Sequence, residues 1–237
     1  MRVLIPRGGS WGDEVARLAS AAGFEPLVLP LVRTEPAEDQ DALGRALARL
    51  ADGGFDWLVV TSRSAVPVLP PLPGSVRVAA VGAATAGALW ERGVPVDFVP
   101  TRQSAAGLVD EWPLREGSAL WPRALDARPK VADGLRQHGM RVTDVVAYRT
   151  VPAVESRDRL LAAVGDAPVD AVLVTSGSIA REVARLELPH DVRVIAIGDQ
   201  TAEDCRALGL RVAGIAAQPS AASLVEALTA SAGSAPV

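Results

Sequence analysis

Short apolar runs alternate along this chain with longer stretches in which apolar residues recur at helical spacing. Val15, Leu18, Ala19 and Ala22 follow that spacing, and Gly23 ends the stretch as a helix C-cap glycine would. The apolar runs are nearly continuous rather than alternating, which is typical of parallel strands covered on both faces. The pattern therefore predicts an α/β fold built from parallel sheets.

The individual elements follow from the same pattern. Strands are predicted over 3–6, 27–29, 57–60, 76–81, 96–99, 119–121, 141–147, 171–174, 192–197 and 211–215. Helices are predicted over 38–50, 83–92, 104–112, 127–138, 155–165, 178–186, 200–208 and 220–230, besides the one that ends at Gly23 and a short one from Ser64.

The chain also repeats itself at a distance of 116 positions, the separation of Arg7 from Arg123. The matched pairs are Pro6-Arg7 with Pro122-Arg123, Gly23 with Gly139, Arg33-Thr34 with Arg149-Thr150, Gly82 with Gly198, Thr85 with Thr201, Gly93 with Gly209, and Ser104-Ala105 with Ser220-Ala221. DWLVVTSRS (56–64) matches DAVLVTSGS (170–178) at a distance of 114. A unit this long is a duplicated domain rather than a solenoid repeat. Duplication predicts two similar lobes with a cleft between them.

Two segments complicate the division into domains. Segments 31–36 and 147–152 each carry an Arg-Thr pair soon followed by proline, which favours extended chain before it. If the chain changes domain at both, one domain is 36–147 and the other combines 1–34 with 152–237. A simple tandem would instead divide near residue 117, and spacing alone is compatible with either arrangement.

Composition narrows the class of protein. The 237 residues carry a net charge of −4 with no basic stripe, so nucleic acid is not an expected partner. Cys205 is the only cysteine, which excludes an internal disulfide and fits a cytoplasmic location. No stretch reaches the roughly 20 apolar residues of a membrane span, and the first apolar run is shorter than a signal peptide requires.

Hydroxyl groups and glycines collect where strands give way to helices. Thr61, Ser62 and Ser64 follow strand 57–60, Ser176, Gly177 and Ser178 follow strand 171–174, and Thr201 follows Gly198 after strand 192–197. Ligands of open parallel sheets bind beyond the carboxyl ends of the strands, where helix N-termini offer free N–H groups to anions. The alternative is that each hydroxyl is simply an N-cap.

Arginines and one tyrosine are the other candidates. Arg7 and Arg123 end the first strand of each copy and Arg128 follows on the next loop; arginine binds carboxylates in bidentate fashion. Solvated surface arginines would look the same. Tyr148, the only tyrosine, stands at the second proposed linker, where its hydroxyl could donate a hydrogen bond or the ring could simply pack.

Several signatures are missing. GxxxxGK[ST] is absent, no GxGxxG follows a strand, and His138 and His190 lack metal-ligand spacing. An enzyme built from this chain would therefore work without metal or nucleotide, on an anionic small molecule.

The motifs together resemble uroporphyrinogen-III synthase over nearly the full length. They are VVTSRSAV (59–66), VAAVGAATAGAL (78–89), VAYRT (146–150), VLVTSGSI (172–179) and IAIGDQTAEDCRALGL (195–210). The resemblance implies two flavodoxin-like domains joined by a two-stranded linker, which favours the crossed division, 1–34 plus 152–237 and 36–147. It also implies that no cofactor is needed. Two lobes with a complete cleft need no partner, which predicts a monomer.

The implied reaction is cyclisation of hydroxymethylbilane, with inversion of ring D and loss of water. The substrate carries eight carboxylates, and unaided closure gives the uninverted isomer, so the resemblance implies catalysis by orientation. It assigns Tyr148 to the departing hydroxyl. It assigns substrate binding to Arg7, Thr61, Ser62, Ser64, Arg123, Arg128, Ser176, Gly177, Ser178 and Thr201. Relatives often show glycine at the positions of Ala124 and Ala127, which keeps open a non-catalytic, two-lobed binding or regulatory protein.

Overall fold

The chain folds into two compact units, each with its own sheet. The computed structural model describes residues 1–113, 116–153, 158–159, 162 and 168–233. One unit combines Met1–Arg33 with Val151–Val237, and the other is Thr34–Thr150; they are called unit 1 and unit 2 below.

The described strands, numbered in chain order, are β1 (Arg2–Ile5), β2 (Glu25–Val28), β3 (Val32–Pro36), β4 (Trp57–Val60), β5 (Arg77–Ala80), β6 (Ser118–Ala124), β7 (Arg141–Pro152), β8 (Ala171–Val174), β9 (Arg193–Ala196) and β10 (Val212–Ile215). The α-helices are Gly9–Ala21, Gln40–Ala51, Ala83–Trp90, Ala105–Asp110, Lys130–Gln137, Gly177–Arg185, Asp199–Ala207 and Ala221–Ala232, and Arg63–Val68 forms a 3-10 helix.

The two sheets have the same underlying order. In unit 1 the order is β10-β9-β8-β1-β2, which is the doubly wound, flavodoxin-like order. In the other sheet the order is β3-β7-β6-β4-β5. Matching β6 with β1 and β4 with β8 reproduces the same arrangement, with β3 added beside β7. The predicted class, α/β with two flavodoxin-like parallel sheets, is confirmed.

Apolar side chains from both faces of each sheet form the cores. Leu4, Val172 and Val194 pack on one face of the unit 1 sheet, whereas Val3 and Leu173 pack on the other. Every residue of β4 and of β8 is buried, which explains why both strands read as unbroken apolar runs. Helices therefore cover both faces, as the pattern predicts.

One predicted strand is wrong. Segment 96–99 forms a bridge between Ala79 and Phe98 and a few backbone hydrogen bonds with β5, but it does not form a strand, whereas its counterpart in unit 1 is the strand β10. The reason is Asp97, whose side-chain Oδ2 accepts the backbone N–H of Val78 at 2.7 Å in place of a backbone carbonyl. Pro95 adds to the interruption because it has no N–H to donate.

The predicted linker segments are extended chain. Segment 31–36 contains β3, and segment 147–152 is the continuation of β7, which is a single strand of 12 residues. Strand β3 lies beside β7 at the edge of the unit 2 sheet. The predicted helix over 155–165 lies almost wholly outside the described residues.

Candidate functional site

The carboxyl ends of the two central strands of unit 1 place Arg7 beside the loop after β8. Val3 pairs with Ala171 and Leu4 with Val172, so β1 and β8 are parallel neighbours and the segments that follow them leave the same edge of the sheet. This is also the point where the strand order reverses, which is where ligands of doubly wound sheets bind. The fold thus brings together Arg7 and the loop that holds Ser176, Gly177 and Ser178.

That loop opens helix Gly177–Arg185. Ser176 is the N-cap, and its Oγ accepts the N–H of Ile179 at 3.3 Å and lies 2.9 Å from the Oγ of Ser178. A Cβ on Gly177 would lie 2.5 Å from Oδ2 of Asp204, so a larger residue here would require the Asp204 side chain to move. The N-cap interpretation of Ser176 is therefore confirmed, and an acidic group already lies beside this helix N-terminus.

Thr201 lies on the next loop-to-helix junction of unit 1. It belongs to the first turn of helix Asp199–Ala207 and is only 8% exposed. No side-chain oxygen caps this helix at Gly198. The matched helix in unit 2 differs, because the N–H of Ala83 donates to Oε1 of Gln103 at 2.9 Å.

The equivalent loop of unit 2 is fixed by an indole. Trp57 pairs with Ala119 and Leu58 with Leu120, so Thr61 follows β4 at the same edge of the sheet as the carboxyl end of β6. The Nε1–H of Trp121, a residue 2% exposed, donates to Oγ1 of Thr61 at 3.0 Å.

Ser62 and Ser64 lie one step further along the same loop. Ser62 caps the 3-10 helix by accepting the N–H of Ser64 at 3.2 Å. Ser64 therefore contributes a backbone donor to the cap, and both serines are half-buried.

The two matched arginines have different partners. In unit 1 the guanidinium carbon of Arg7 lies 5.2 Å from the ring centroid of Trp11, a cation–π contact. In unit 2 the Nε–H of Arg123 donates to Oδ2 of Asp144 at 2.9 Å. Both arginines are half-buried, whereas Arg128 is exposed on the loop before helix Lys130–Gln137.

Asp144 joins Arg123 to a second arginine. Its Oδ1 accepts a hydrogen bond from Nη2 of Arg136 at 2.9 Å. Burial acts to raise the pKa of Asp144, but the hydrogen bonds and charges of Arg123 and Arg136 together outweigh it and hold the pKa below its ordinary value. The carboxylate is therefore ionised wherever the protein is folded near neutral pH.

Tyr148 lies in β7, next to the loop that follows Arg123. It pairs with Ala124, and its carbonyl accepts the N–H of Leu125 at 2.9 Å. The residue is 7% exposed and packs in the apolar core of unit 2. The structure thus groups Tyr148 with Arg123 and with Thr61 in one unit.

Sequence reasoning missed the side chains that support these candidates, namely Trp121, Asp144, Asp204 and Gln103. A signal for two of them lies in the repeat. In the alignment of the repeat at a distance of 116, Trp121 corresponds to Ile5 and Asp144 corresponds to Val28. At these two strand positions the second copy therefore has a side chain with a hydrogen-bonding group where the first copy has an aliphatic one. Such exchanges mark where the two copies have taken different local roles.

Other chemistry is limited in the described part of the chain. No group of three or more His, Cys, Asp or Glu side chains there could hold a metal ion. Cys205 is fully buried, as its position in an apolar helix face predicts, and burial raises its thiol pKa to about 11. None of the helices that the structure describes has the length and apolar character of a membrane span.

Comparison with known proteins identifies the family. The family model described as uroporphyrinogen-III synthase HemD matches residues 13–226. A uroporphyrinogen-III synthase of Synechococcus elongatus is 26% identical over 232 residues, covering 89% of this chain and 87% of the relative. The crystal structure of a mutant uroporphyrinogen III synthase from Thermus thermophilus aligns with a TM-score of 0.66 at 23% identity, covering 98% of both chains. That of the Helicobacter pylori uroporphyrinogen-III synthetase aligns at 0.65 with 19% identity, covering 97% of this chain and 99% of the other. The chain belongs to the uroporphyrinogen-III synthase family.

Proposed function

We propose that this chain closes hydroxymethylbilane to uroporphyrinogen III, with inversion of ring D and loss of water. The family match over residues 13–226 carries the proposal. The geometry of each unit agrees with it, since the central strands end in hydroxyl-rich loops, helix N-termini and an arginine. Such groups bind carboxylates, and the proposed substrate carries eight.

The proposed binding groups come from both units. Arg7, Ser176, Gly177, Ser178 and Thr201 belong to unit 1, whereas Thr61, Ser62, Ser64, Arg123 and Arg128 belong to unit 2. The serines would act mainly by fixing the loops, because Ser62 and Ser176 are already N-caps, and the free backbone N–H groups of those loops would meet the carboxylates. Thr201 lies in the first turn of helix Asp199–Ala207, whose N-terminus has no side-chain cap, so the backbone N–H groups there would also meet a carboxylate.

The loss of water from the proposed substrate does not require a strong catalytic acid. The electron-rich pyrrole next to the hydroxymethyl group helps its C–O bond to break, and the departing hydroxyl needs only a proton or a strong hydrogen bond. We assign that donor to Tyr148. Tyr148 is 7% exposed and packs in the core of unit 2, and this packing would restrain the ring that carries the proposed donor.

Selecting the product is the harder task. The new C–C bond must join the freed methylene to the substituted carbon of ring D rather than to its unsubstituted carbon. Holding the propionate and acetate side chains in place restricts the linear tetrapyrrole to the conformer in which the methylene reaches the substituted carbon. This is catalysis by orientation. Such an orientation would favour the spiro intermediate that is usually proposed for the family.

The test is the isomer composition of the product. Purified protein is incubated with hydroxymethylbilane, the product is oxidised to uroporphyrin, and the isomers are separated. The proposal predicts the type III isomer, and a product containing only type I would refute it. The alternative, a non-catalytic binding or regulatory protein for an anionic small molecule, predicts tight binding of the product without turnover. Membership of the family favours the enzyme. We further propose that it acts as a cytoplasmic monomer.

A further inference from the structure

The duplicated arginines are both held in place, but by unrelated neighbours. Arg123 is hydrogen bonded to Asp144, whereas Arg7 lies over Trp11. At the distance of 116, the position of Asp144 is taken by Val28 and that of Trp11 by Ala127. The two units therefore share the arginine, but neither the carboxylate of Asp144 nor the indole of Trp11 has a counterpart at the repeated position.

Strand register explains how Asp144 reaches Arg123. Trp121 pairs with Asp144 and Arg123 with Val146 across β6 and β7. Residues two apart on a strand point to the same face, so Asp144 is the diagonal neighbour of Arg123. The contact is thus built into the sheet and does not depend on a loop.

Three groups restrain the Arg123 guanidinium and leave one edge available. Nε–H donates to Asp144, and Nη1 donates to the carbonyls of Ala124 at 3.1 Å and Leu125 at 3.3 Å. Among the described residues, Nη2 has no hydrogen-bond acceptor. The side chain is 23% exposed. An arginine held in this way can present its Nη2 edge to an incoming carboxylate without first losing rotamer freedom.

Asp144 is itself held on its other side. Arg136 donates from Nη2 to its Oδ1 and also to the carbonyl of Val142, both within 3.0 Å. Arg136 has a second acidic partner, Asp133, at 3.4 Å. Asp133 and Asp144 therefore share Arg136, but only Asp144 contacts Arg123, which makes Asp133 a matched control.

We infer that Asp144 is a positioning residue for substrate binding, which fixes Arg123 so that the Nη2 edge of its guanidinium meets a carboxylate of the linear tetrapyrrole. The inference rests on the proposed function. Asp144 itself would not touch the substrate, and its negative charge would act only through Arg123.

The test compares steady-state kinetics of Asp144→Asn and Asp133→Asn with the parent. For Asp144→Asn we expect KM for hydroxymethylbilane to rise roughly 3- to 10-fold with kcat nearly unchanged, the cost of ordering one long side chain on binding. For Asp133→Asn we expect the parent values. A KM for Asp144→Asn within experimental error of the parent would overturn the inference.

A double-mutant cycle separates positioning from a general structural effect. Lysine at position 123 offers a single compact charge that cannot serve Asp144 and substrate as a fork does. Arg123→Lys should therefore raise KM, and adding Asp144→Asn should change it little further. If the two effects multiply instead, Asp144 acts independently of Arg123 and the inference is wrong.

Two outcomes need separate treatment. If Asp144→Asn does not fold, Asp144→Glu retains the charge but displaces the carboxylate by one methylene. KM should still rise at unchanged kcat, and an unchanged KM would overturn the inference. If the parent itself forms no type III isomer, the proposed function fails instead.

Discussion

At the scale of single residues, the proposed site depends on groups whose positions are already fixed before substrate arrives. Trp121 holds Thr61, Asp144 holds Arg123, and Trp11 lies against Arg7. Each of these contacts lies within one unit. Their common effect is to lower the conformational entropy that binding would otherwise cost.

Replacing Tyr148 tests the one assigned catalytic group. Tyr148→Phe removes only the hydroxyl and leaves a ring of the same shape in the core, so the fold should persist. Loss of a hydrogen bond to a developing charge is expected to lower kcat about 10- to 100-fold with little change in KM. A kcat equal to that of the parent would remove Tyr148 from the mechanism.

At the scale of elements, helix packing is the contact most sensitive to small changes. Gly134 lies buried in helix Lys130–Gln137, where a Cβ would come within 2.4 Å of Cγ1 of Val109 in helix Ala105–Asp110. Gly44 is exposed in helix Gln40–Ala51 of the same unit, and a Cβ there would meet nothing within 4 Å. Packing therefore requires glycine at position 134, whereas it places no such requirement on position 44.

Alanine at these positions should move stability in opposite directions. Gly134→Ala is expected to lower the free energy of unfolding by about 1–3 kcal/mol through overpacking, although alanine favours a helix. Gly44→Ala should raise it by up to about 1 kcal/mol through helix propensity alone. Urea unfolding followed by circular dichroism measures both. A stabilised Gly134→Ala variant would show that the two helices separate at no cost.

A pH-dependent contact joins the start of β4 to the start of β6. Oδ2 of Asp56 accepts hydrogen bonds from the N–H of Ser118 at 2.7 Å and from its hydroxyl at 2.8 Å. The side-chain hydrogen bond from Ser118 and then the backbone one lower the pKa of Asp56, against a smaller opposing effect of burial. A carboxyl whose folded pKa is lowered stabilises the fold above its unfolded pKa and loses that effect as the pH falls through the folded value.

Asp56→Asn should therefore cost stability at neutral pH and little in acid. Because Asp56 is exposed and solvent screens its charge, we expect a loss of only about 0.5–1 kcal/mol at pH 7, which shrinks as the pH falls below about 4. Urea unfolding at pH 7 and pH 3 gives the comparison. Asp52→Asn is the control, because the Asp52 side chain is exposed and makes no hydrogen bond among the described residues. Equal losses at both pH values would exclude the ionised carboxylate as the cause.

The elements also show what the sequence could and could not predict. Strands β4 and β8 match their predicted bounds because an unbroken apolar run between polar residues has few other solutions. The prediction of a strand over 96–99 was wrong because the segment is as apolar as a strand. Its Asp97 accepts the N–H of Val78 with a side-chain oxygen, where a strand would use a backbone carbonyl. The placement of Asp144 beside Arg123 needed the register of β6 and β7, which no local pattern contains.

At the scale of the whole molecule, the two sheets share a strand order, which agrees with the predicted duplication, but they differ in detail. Strand β10 occupies one edge in unit 1, whereas the corresponding edge of unit 2 has only the bridge at Phe98. The arginine and hydroxyl loop at the strand-order reversal remain in both units. Under the proposed function, these retained groups would bind carboxylates.

The central claim is that the protein catalyses repeated formation of the type III isomer, and one measurement tests this most directly. Hydroxymethylbilane in at least 100-fold molar excess is mixed with the protein, and the type III and type I products are counted over time against a protein-free control. The account predicts many molecules of type III per protein molecule, formed faster than type I appears in the control. The account would be contradicted if no more than one molecule of type III formed per protein molecule. It would also be contradicted if type I were the only product and formed at the same rate as in the protein-free control.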